Sequence, residues 1–423
     1  MAQQLAERVN TLADDDTAHL VKVFKDIHRN PELGFMETRT AAIVAKALND
    51  LGFAVTTGIG GTGVAAILRN GPGPVVMYRA DMDALSVQEA PGLDYASTVR
   101  VGRDDGSESP VAHVCGHDAH ITWMLGMAKV LSTTTDAWSG TLVLIGQPAE
   151  ELIAGAAAMV EDGLYDVVPK PDYLVGMHTA PAPVGMVTAS GGALMSGTDQ
   201  IDIVFKGVGG HGSMPQLTKD PVLMSALAIV QFQTIISRSI APQETAVLTV
   251  GSVQAGSVNN VIPDRALLKV NLRWFSPHVR DQLIAGLRAI SDGIARSYGM
   301  PEDQLPDITI KGGSTPLVTD ERLAARLAGA LGKVIDSGSL VTQLPAVTAS
   351  EDCHLLKGPY ADVPLSYLFV GVADPQVWAK AFGEGKLFPY SPHSPDYVVD
   401  LAAIPFGVKV ASYVMLELLG TPG

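Results

Sequence analysis

TLVLIGQPAEE, residues 141 to 151, decides how this chain is read. Thr141 to Ile145 is a short, continuously apolar run, the pattern of a strand covered on both faces of its sheet. It leads into two adjacent carboxylates, Glu150 and Glu151. Tyr173 to Met177 repeats the pattern and leads into His178. Helical spacing appears at Leu20, Val23, Phe24 and Ile27 (residues 18 to 29). It appears again over residues 38 to 51, and at Ile121, Met124, Leu125 and Ala128. Val64 to Leu68 and Val75 to Tyr78 read as two strands joined by the turn NGPGP. Strands interspersed with helices make this half of the chain α/β.

Downstream of about residue 190 the pattern changes. Ile201, Ile203 and Phe205 alternate with polar residues, and Ala266, Leu268, Val270 and Leu272 face away from Lys269, Asn271 and Arg273. Such alternation marks a sheet with one solvated side. Residues 220 to 237 read as an amphipathic helix, 246 to 253 as a strand and 279 to 298 as another helix. This block, 190–305, is expected to be a smaller α+β domain inserted into an α/β domain made of 1–189 and 306–423. In the last segment, helices are expected near 320 to 335 and over 400 to 420.

A length of 423 residues fits two domains better than one core. The net charge of −15, without a Lys/Arg cluster, argues against a nucleic-acid partner. Two cysteines, Cys115 and Cys353, exclude a disulfide framework. MAQQLAERVN has no apolar signal core, and no stretch approaches the roughly 20 apolar residues of a membrane span. A cytoplasmic location without membrane partners is therefore expected.

The chemistry-bearing residues form short clusters. In HVCGHDAH, 113 to 120, the thiolate of Cys115 and the imidazole of His117 reach one metal centre if the backbone is extended; sulfur with nitrogen suits zinc. Asp118 is a candidate partner that fixes an imidazole tautomer. Adjacent carboxylates at a strand end repel unless a cation relieves them. One of Glu150 and Glu151 can then bind metal while the other acts as general base. The plainer reading is an acidic helix start. His178 in GMHT and His393 in SPHSPD complete the candidates; each alone has an ordinary surface or structural reading. Asp81 and Asp83 in RADMDAL share one face of an extended chain, as an outer network or an N-cap arrangement.

PELGFMET (31 to 38), RADMDAL (79 to 85), HVCGHDAH, QPAEE, GMHT, GGHGSMP (209 to 215), NNVIPDRA (259 to 266), SED (350 to 352) and HSPDY (393 to 397) follow one another in this order. The set resembles the amidohydrolase branch of the dinuclear-zinc peptidase superfamily: hippurate hydrolases, auxin-conjugate hydrolases and N-acyl-amino-acid amidohydrolases. The resemblance spans nearly the whole chain. It implies a mixed catalytic sheet flanked by helices, with a ferredoxin-like insert serving as lid and dimerisation domain. It implies Cys115, His117, Glu151, His178 and His393 as metal ligands, Glu150 as general base and Asp83 as a residue orienting the metal site. It implies His211 as polariser of the substrate carbonyl, and Asn260 and Arg273 near the substrate carboxylate and oxyanion. The reaction implied is hydrolysis of the amide bond of an N-acyl amino acid or a related small conjugate. Two divalent cations are implied, zinc first and manganese, cobalt or nickel as alternatives. A homodimer is also implied.

Some positions depart from the family pattern: Ser86, Pro392, Cys353 and Gln216, together with the polar loop RVGRDDGSESPVA (100 to 112), which is expected to border the cleft. All bear on substrate preference. A dipeptide or aryl-amide substrate would use the same machinery. Two other classes compete: a non-catalytic binding protein on the same fold, and a nucleotide-binding oxidoreductase suggested by GIGGTG (58 to 63). The latter motif requires its glycines to open a helix, whereas Val64 to Leu68 reads as a strand.

Overall fold

Leu142, Val143, Leu144 and Ile145 are fully buried, because their strand, Gly140–Gln147, is an interior strand of an eight-stranded mixed sheet. The structure, a computed structural model, describes residues 3–102, 106–336 and 338–421. Two units divide the chain: Met1–Leu194 with Val318–Pro345 and Asp352–Gly423, and Met195–Leu317 with Ala346–Glu351.

In the first unit the strands lie in the order Ala54–Ile59, Gly63–Asn70, Gly140–Gln147, Val75–Asp81, Tyr173–Pro183, Leu365–Ala373, Val187–Thr188 and Leu340–Val341. Val75–Asp81 runs parallel to Gly140–Gln147 and to Tyr173–Pro183, which runs parallel to Leu365–Ala373. Their carboxyl ends therefore share one edge, where sheets of this kind bind ligands. The helices Gln3–Arg29, His117–Thr133 and Ala403–Leu418 pack against one another and contribute to the core beside the sheet. His117–Thr133 is buried on nearly all sides, as an all-round apolar helix must be. The first helix is longer than the spacing at 18 to 29 implied, because Val9, Ala13 and Asp16 extend its buried stripe.

Two local expectations are resolved here. NGPGP does not join paired strands, because Gly140–Gln147 lies between Gly63–Asn70 and Val75–Asp81, antiparallel to one and parallel to the other. The turn moves the chain two strand positions sideways, and the skipped position is filled later in the sequence. GIGGTG forms the tip of the antiparallel pair Ala54–Ile59 and Gly63–Asn70, so its glycines open a strand and not a helix. In the loop 100 to 112, Arg100–Gly102 pairs with Glu108–Pro110, and residues 103–105 lie outside the described residues.

The second unit carries a four-stranded antiparallel sheet in the order Ala246–Ala255, Arg265–Trp274, Gly197–Lys206 and Asp307–Ser314. With the helices Pro221–Thr234 and Pro277–Ser297 the connectivity is β-α-β-β-α-β, the ferredoxin-like arrangement. Ile201, Ile203, Phe205, Leu268, Val270 and Leu272 pack with Met224, Phe232, Leu283 and Leu287. The insert extends past 305 because Asp307–Ser314 is the fourth strand of its sheet, and the chain contributes to it again at Ala346–Glu351.

Pro221–Thr234, continued by a wider π turn Ile235–Ser239, is not simply amphipathic. Met224, Ala228 and Phe232 are buried, but Val222, Leu223, Leu227 and Val230 are exposed. The stretch Pro221–Ser239 is long and apolar enough to cross a membrane by length and composition, contrary to the expectation that none would be. One of its faces packs instead on the sheet of its own unit.

Candidate metal centre

The HVCGHDAH segment does not stay extended. Gly116 turns at φ +84° and caps the helix, so that His117 is its first residue. A Cβ at Gly116 would lie 2.7 Å from the side chain of Thr179, so conformation and space both demand glycine there. The turn nevertheless delivers both side chains to one cluster. Cys115 Sγ lies 3.5 Å from His178 Nε2 and 3.2 Å from His393 Nε2. Glu151 Oε1 lies 3.2 Å from His393 Nε2 and 3.9 Å from His117 Nε2, while Glu150 Oε2 lies 3.8 Å from the same His117 nitrogen. Ligand atoms of Cys115, Glu151 and His393 form one group within 4.8 Å, those of His117, Glu150 and Glu151 another. Glu151 belongs to both.

The imidazoles are set in the tautomer that binds a cation. His117 Nδ1–H donates to Asp83 Oδ1 at 3.1 Å, and His178 Nδ1–H donates to the Thr179 carbonyl at 2.7 Å. Each therefore faces the cluster with Nε2, the nitrogen whose lone pair a cation would take. His117 Nε2 is buried without a hydrogen-bond partner, and Glu151 Oε1 is buried with His393 Nε2 beside it at 3.2 Å. His120, by contrast, has both nitrogens engaged: Nδ1 with Asp81 at 2.5 Å, Nε2 accepting the Thr179 N–H at 2.8 Å. It supports the site and does not offer a ligand atom.

The charge balance also calls for a cation. Burial pushes the Cys115 thiol well above its ordinary range, and Glu151, Glu150 and Asp81 push it further. Burial alone would lower His117, but Asp81, Asp83 and Glu151 outweigh it and raise it to about 10. His178 is pushed down to about 3 by burial, with His120 adding to the effect. A buried cluster that protonates one imidazole and suppresses its thiolate is short of positive charge. A divalent cation supplies that charge and deprotonates a coordinating thiol. The residues present therefore fit a metal.

The backbone is strained at this same place. Among the described residues, four other than glycine have positive φ: Phe35 (63°), Ala149 (48°), Ile153 (54°) and His393 (64°). Ala149 and Ile153 flank the Glu150–Glu151 pair, His393 belongs to the cluster, and Phe35 follows Gly34, where a Cβ would sit 3.1 Å from Ala149. Strain of this kind persists only where surrounding contacts enforce it, and it collects at functional sites.

Below the cluster lies a charged layer. Arg79, fully buried, donates to Asp81 Oδ2 at 2.7 Å and to Gln147 at 2.8 Å, and pairs with Asp352 at 3.4 Å. Burial alone would raise Asp81, yet Arg79, His117 and His120 hold its carboxyl well below the usual carboxylate range. Asp83 ties two segments together, taking His117 Nδ1–H and the Glu151 N–H at 2.9 Å. Asp118 is not the partner of a cluster imidazole. It pairs with His28 Nδ1 at 2.7 Å, and His28 Nε2 meets Glu89 at 3.0 Å. The first helical turn directs Asp118 away from the cluster, toward the end of the helix Gln3–Arg29. Sequence reasoning missed His28, Glu89 and Glu37; their only local signal is a polar residue at a buried position.

The remaining candidates lie in the second unit. His211 and Asn260 are neighbours: Gly210–His211 pairs with Val261–Ile262, and the Gly212 N–H donates to the Asn260 carbonyl at 2.8 Å. Both are exposed, and His211 Nδ1 accepts from Ser213 Oγ at 2.8 Å. Arg273 stands on the sheet face opposite the helices, donating to Asn271 Oδ1 at 2.7 Å and Ser350 Oγ at 2.5 Å; burial lowers its pKa. Cys353, fully buried beneath Gly176, has no place in the cluster.

The comparisons agree with this geometry. The model of peptidase family M20/M25/M40 matches residues 77–417. An N-acetyl-L-cysteine deacetylase of Bacillus subtilis is 31% identical over 94% of this chain and 86% of its own length. A hippurate hydrolase of Campylobacter jejuni is 40% identical over 65% of this chain and 70% of its own. The crystal structure of a dinuclear metal binding peptidase of the M20 family from Bacillus subtilis superposes with a TM-score of 0.74 at 26% identity, covering 97% of this chain and all of that one. From a family model that matches most of the chain and a relative 31% identical over 94% of it, the chain belongs to peptidase family M20/M25/M40 and is a hydrolase of amide bonds.

Proposed function

We propose that this enzyme removes the acyl group from a small N-acyl amino acid, using two divalent cations held by Cys115, His117, Glu151, His178 and His393. The observation that carries the reading is the meeting, within hydrogen-bonding to ion-pairing distances, of these five side chains and Glu150 from four separate segments. Zinc is the metal that a thiolate with imidazoles favours, ahead of manganese, cobalt or nickel. When bound, such cations polarise a carbonyl and lower the pKa of water toward neutrality.

The chain's own groups divide the remaining work. Glu150 takes the proton of the attacking water and returns it to the leaving nitrogen. Asp83 keeps the His117 lone pair aimed inward and holds the backbone of Glu151. His211 polarises the substrate carbonyl as it becomes an oxyanion, and Asn260 and Arg273 serve the substrate carboxylate and the oxyanion. The relatives' names, a deacetylase of N-acetyl-cysteine and a hydrolase of hippurate, favour an N-acyl amino acid over a dipeptide or aryl-amide. A non-catalytic binding protein has lost its support, since no member of the cluster is missing.

A second copy of the chain fits the outward face of the insert. Val222, Leu223, Leu227 and Val230 are exposed on one helix, and Ala246–Ala255 is an edge strand. An exposed apolar face beside an unpaired strand edge is a natural homodimer surface. We place the enzyme in the cytoplasm, a location that fractionation tests directly. The function itself is tested with a panel of N-acyl amino acids: chelator-sensitive release of free amino acid supports it, and cleavage of dipeptides alone overturns the substrate class.

A further inference from the structure

Glu150 and Glu151 are presented by a turn that the chain would not adopt unaided. Ala149 before the pair and Ile153 after it both sit at positive φ, a conformation that disfavours any residue with a Cβ. The turn closes on itself: the Ile153 N–H donates to the Glu150 carbonyl at 2.7 Å and the Gly155 N–H to the Ala149 carbonyl at 3.2 Å. A Cβ at Gly155 would fall 1.6 Å from the Pro148 carbonyl oxygen, which shows how tightly it closes.

Two buried carboxylates hold this turn from outside. After Glu150, Asp83 Oδ2 accepts the Glu151 N–H at 2.9 Å. Before it, Glu37 Oε1 accepts the Ala149 N–H at 2.8 Å, while Glu37 Oε2 accepts the Thr62 hydroxyl at 2.5 Å. Glu37 is fully buried, and its own carbonyl accepts the Ala41 N–H in the first turn of the helix Thr38–Asp50, so the acceptor stands on a rigid base. The neighbouring Gly34 lies so close to Ala149 and Leu152 that a Cβ there would meet both at 3.1 Å.

We propose that Glu37 is a positioning residue: it clamps Ala149 in its strained conformation and so fixes the direction in which Glu150 points. The inference rests on reading Glu150 as the proton carrier. Asp83 holds the ligand side of the turn and Glu37 the base side. Losing Glu37 should therefore cost turnover and leave metal and substrate affinity in place. Burial pushes the Glu37 carboxyl above its ordinary range, against the lowering pull of the hydrogen bonds from Thr62 and Ala149. A glutamine side chain keeps one carbonyl oxygen as acceptor for the Ala149 N–H.

The test compares Glu37→Ala, Glu37→Gln and Glu150→Gln in the metal-loaded enzyme, with kcat, KM and metal content measured for each. For Glu37→Ala, kcat should fall on the order of 100-fold, the cost of misplacing a reacting group by about an ångström, at unchanged KM and metal content. Glu37→Gln, which keeps the acceptor, should recover most of that loss. Adding Ala149→Gly to Glu37→Ala should regain about fivefold in kcat, because glycine adopts positive φ without the penalty. Near-normal kcat in Glu37→Ala, loss of metal from it, or an equal loss in Glu37→Gln overturns the inference while leaving Glu150 as base. An active Glu150→Gln instead overturns the base assignment on which it rests. If Glu37→Ala does not fold, Thr62→Val at a half-buried position loosens the other end of the clamp. There kcat should fall about fivefold, the worth of one hydrogen bond, and an unchanged kcat overturns the inference.

Discussion

The metal cluster of the first unit and the His211 region of the second are built in opposite ways. In the cluster, Asp83 orients His117, the Thr179 carbonyl orients His178, and Glu37 and Asp83 fix the turn of Glu150 and Glu151. His211 and Asn260 lie exposed on a short pair of strands, with a serine as the imidazole's neighbour. The difference matches the two tasks proposed for these regions. Holding cations in fixed geometry needs buried, doubly anchored groups. Meeting a substrate needs donors that can be approached and that tighten only as charge develops.

Variants can break this contrast. The largest effect should come from Glu150→Gln, with kcat down on the order of 1,000-fold or more and metal content unchanged. If turnover survives, Glu150 is not the base. His211→Ala should lower kcat by about 100-fold, again with metal retained. Release of metal from that variant would erase the distinction between the two regions. Asp83→Asn should weaken metal affinity by roughly 10- to 100-fold, read by competition with a chromogenic chelator, because the partner that orients His117 is altered.

The smallest effect concerns stability and sharpens the picture of the cluster's surroundings. Burial alone would lower His28, yet hydrogen bonds to Asp118 and Glu89 raise it to about 9. Its folded pKa lies above the unfolded value near 6.5, so its stabilisation is complete below that pH and is lost as pH rises through about 9. Below pH 6 it is worth on the order of 3 kcal/mol. The Tm gap between the wild type and His28→Gln should be widest near pH 6 and close by pH 10. A gap independent of pH would mean that His28 is not charged in the folded chain.

What was legible in the sequence was local. Continuous apolar runs such as Leu142 to Ile145 announce buried strands by themselves, and HVCGHDAH and QPAEE carry their ligand types within a few residues. The α+β character of the insert showed in its period-two strands, whereas its ferredoxin-like order was implied only by the resemblance. What stayed hidden depends on partners far apart in the chain. His28 meets Asp118 across 90 residues, and Glu37 meets Ala149 across 112. Neither pairing leaves a periodic trace, and the first replaced a simpler local reading, Asp118 beside a cluster imidazole. Strand order was hidden for the same reason: NGPGP looks like a hairpin turn until a later strand takes the place between its arms. The outward apolar residues of the helix Pro221–Thr234 were masked by the inward ones, because a helix apolar on two faces and one apolar on a single face share the same buried stripe.

Anomalous X-ray diffraction from zinc-loaded crystals tests the central claim most directly. The account predicts two strong peaks per chain, each roughly 2.0 to 2.3 Å from nitrogen, oxygen or sulfur atoms of Cys115, His117, Glu151, His178 and His393, with His211 bound to neither. A single peak, or peaks that leave Cys115 and Glu151 uncoordinated, would contradict it.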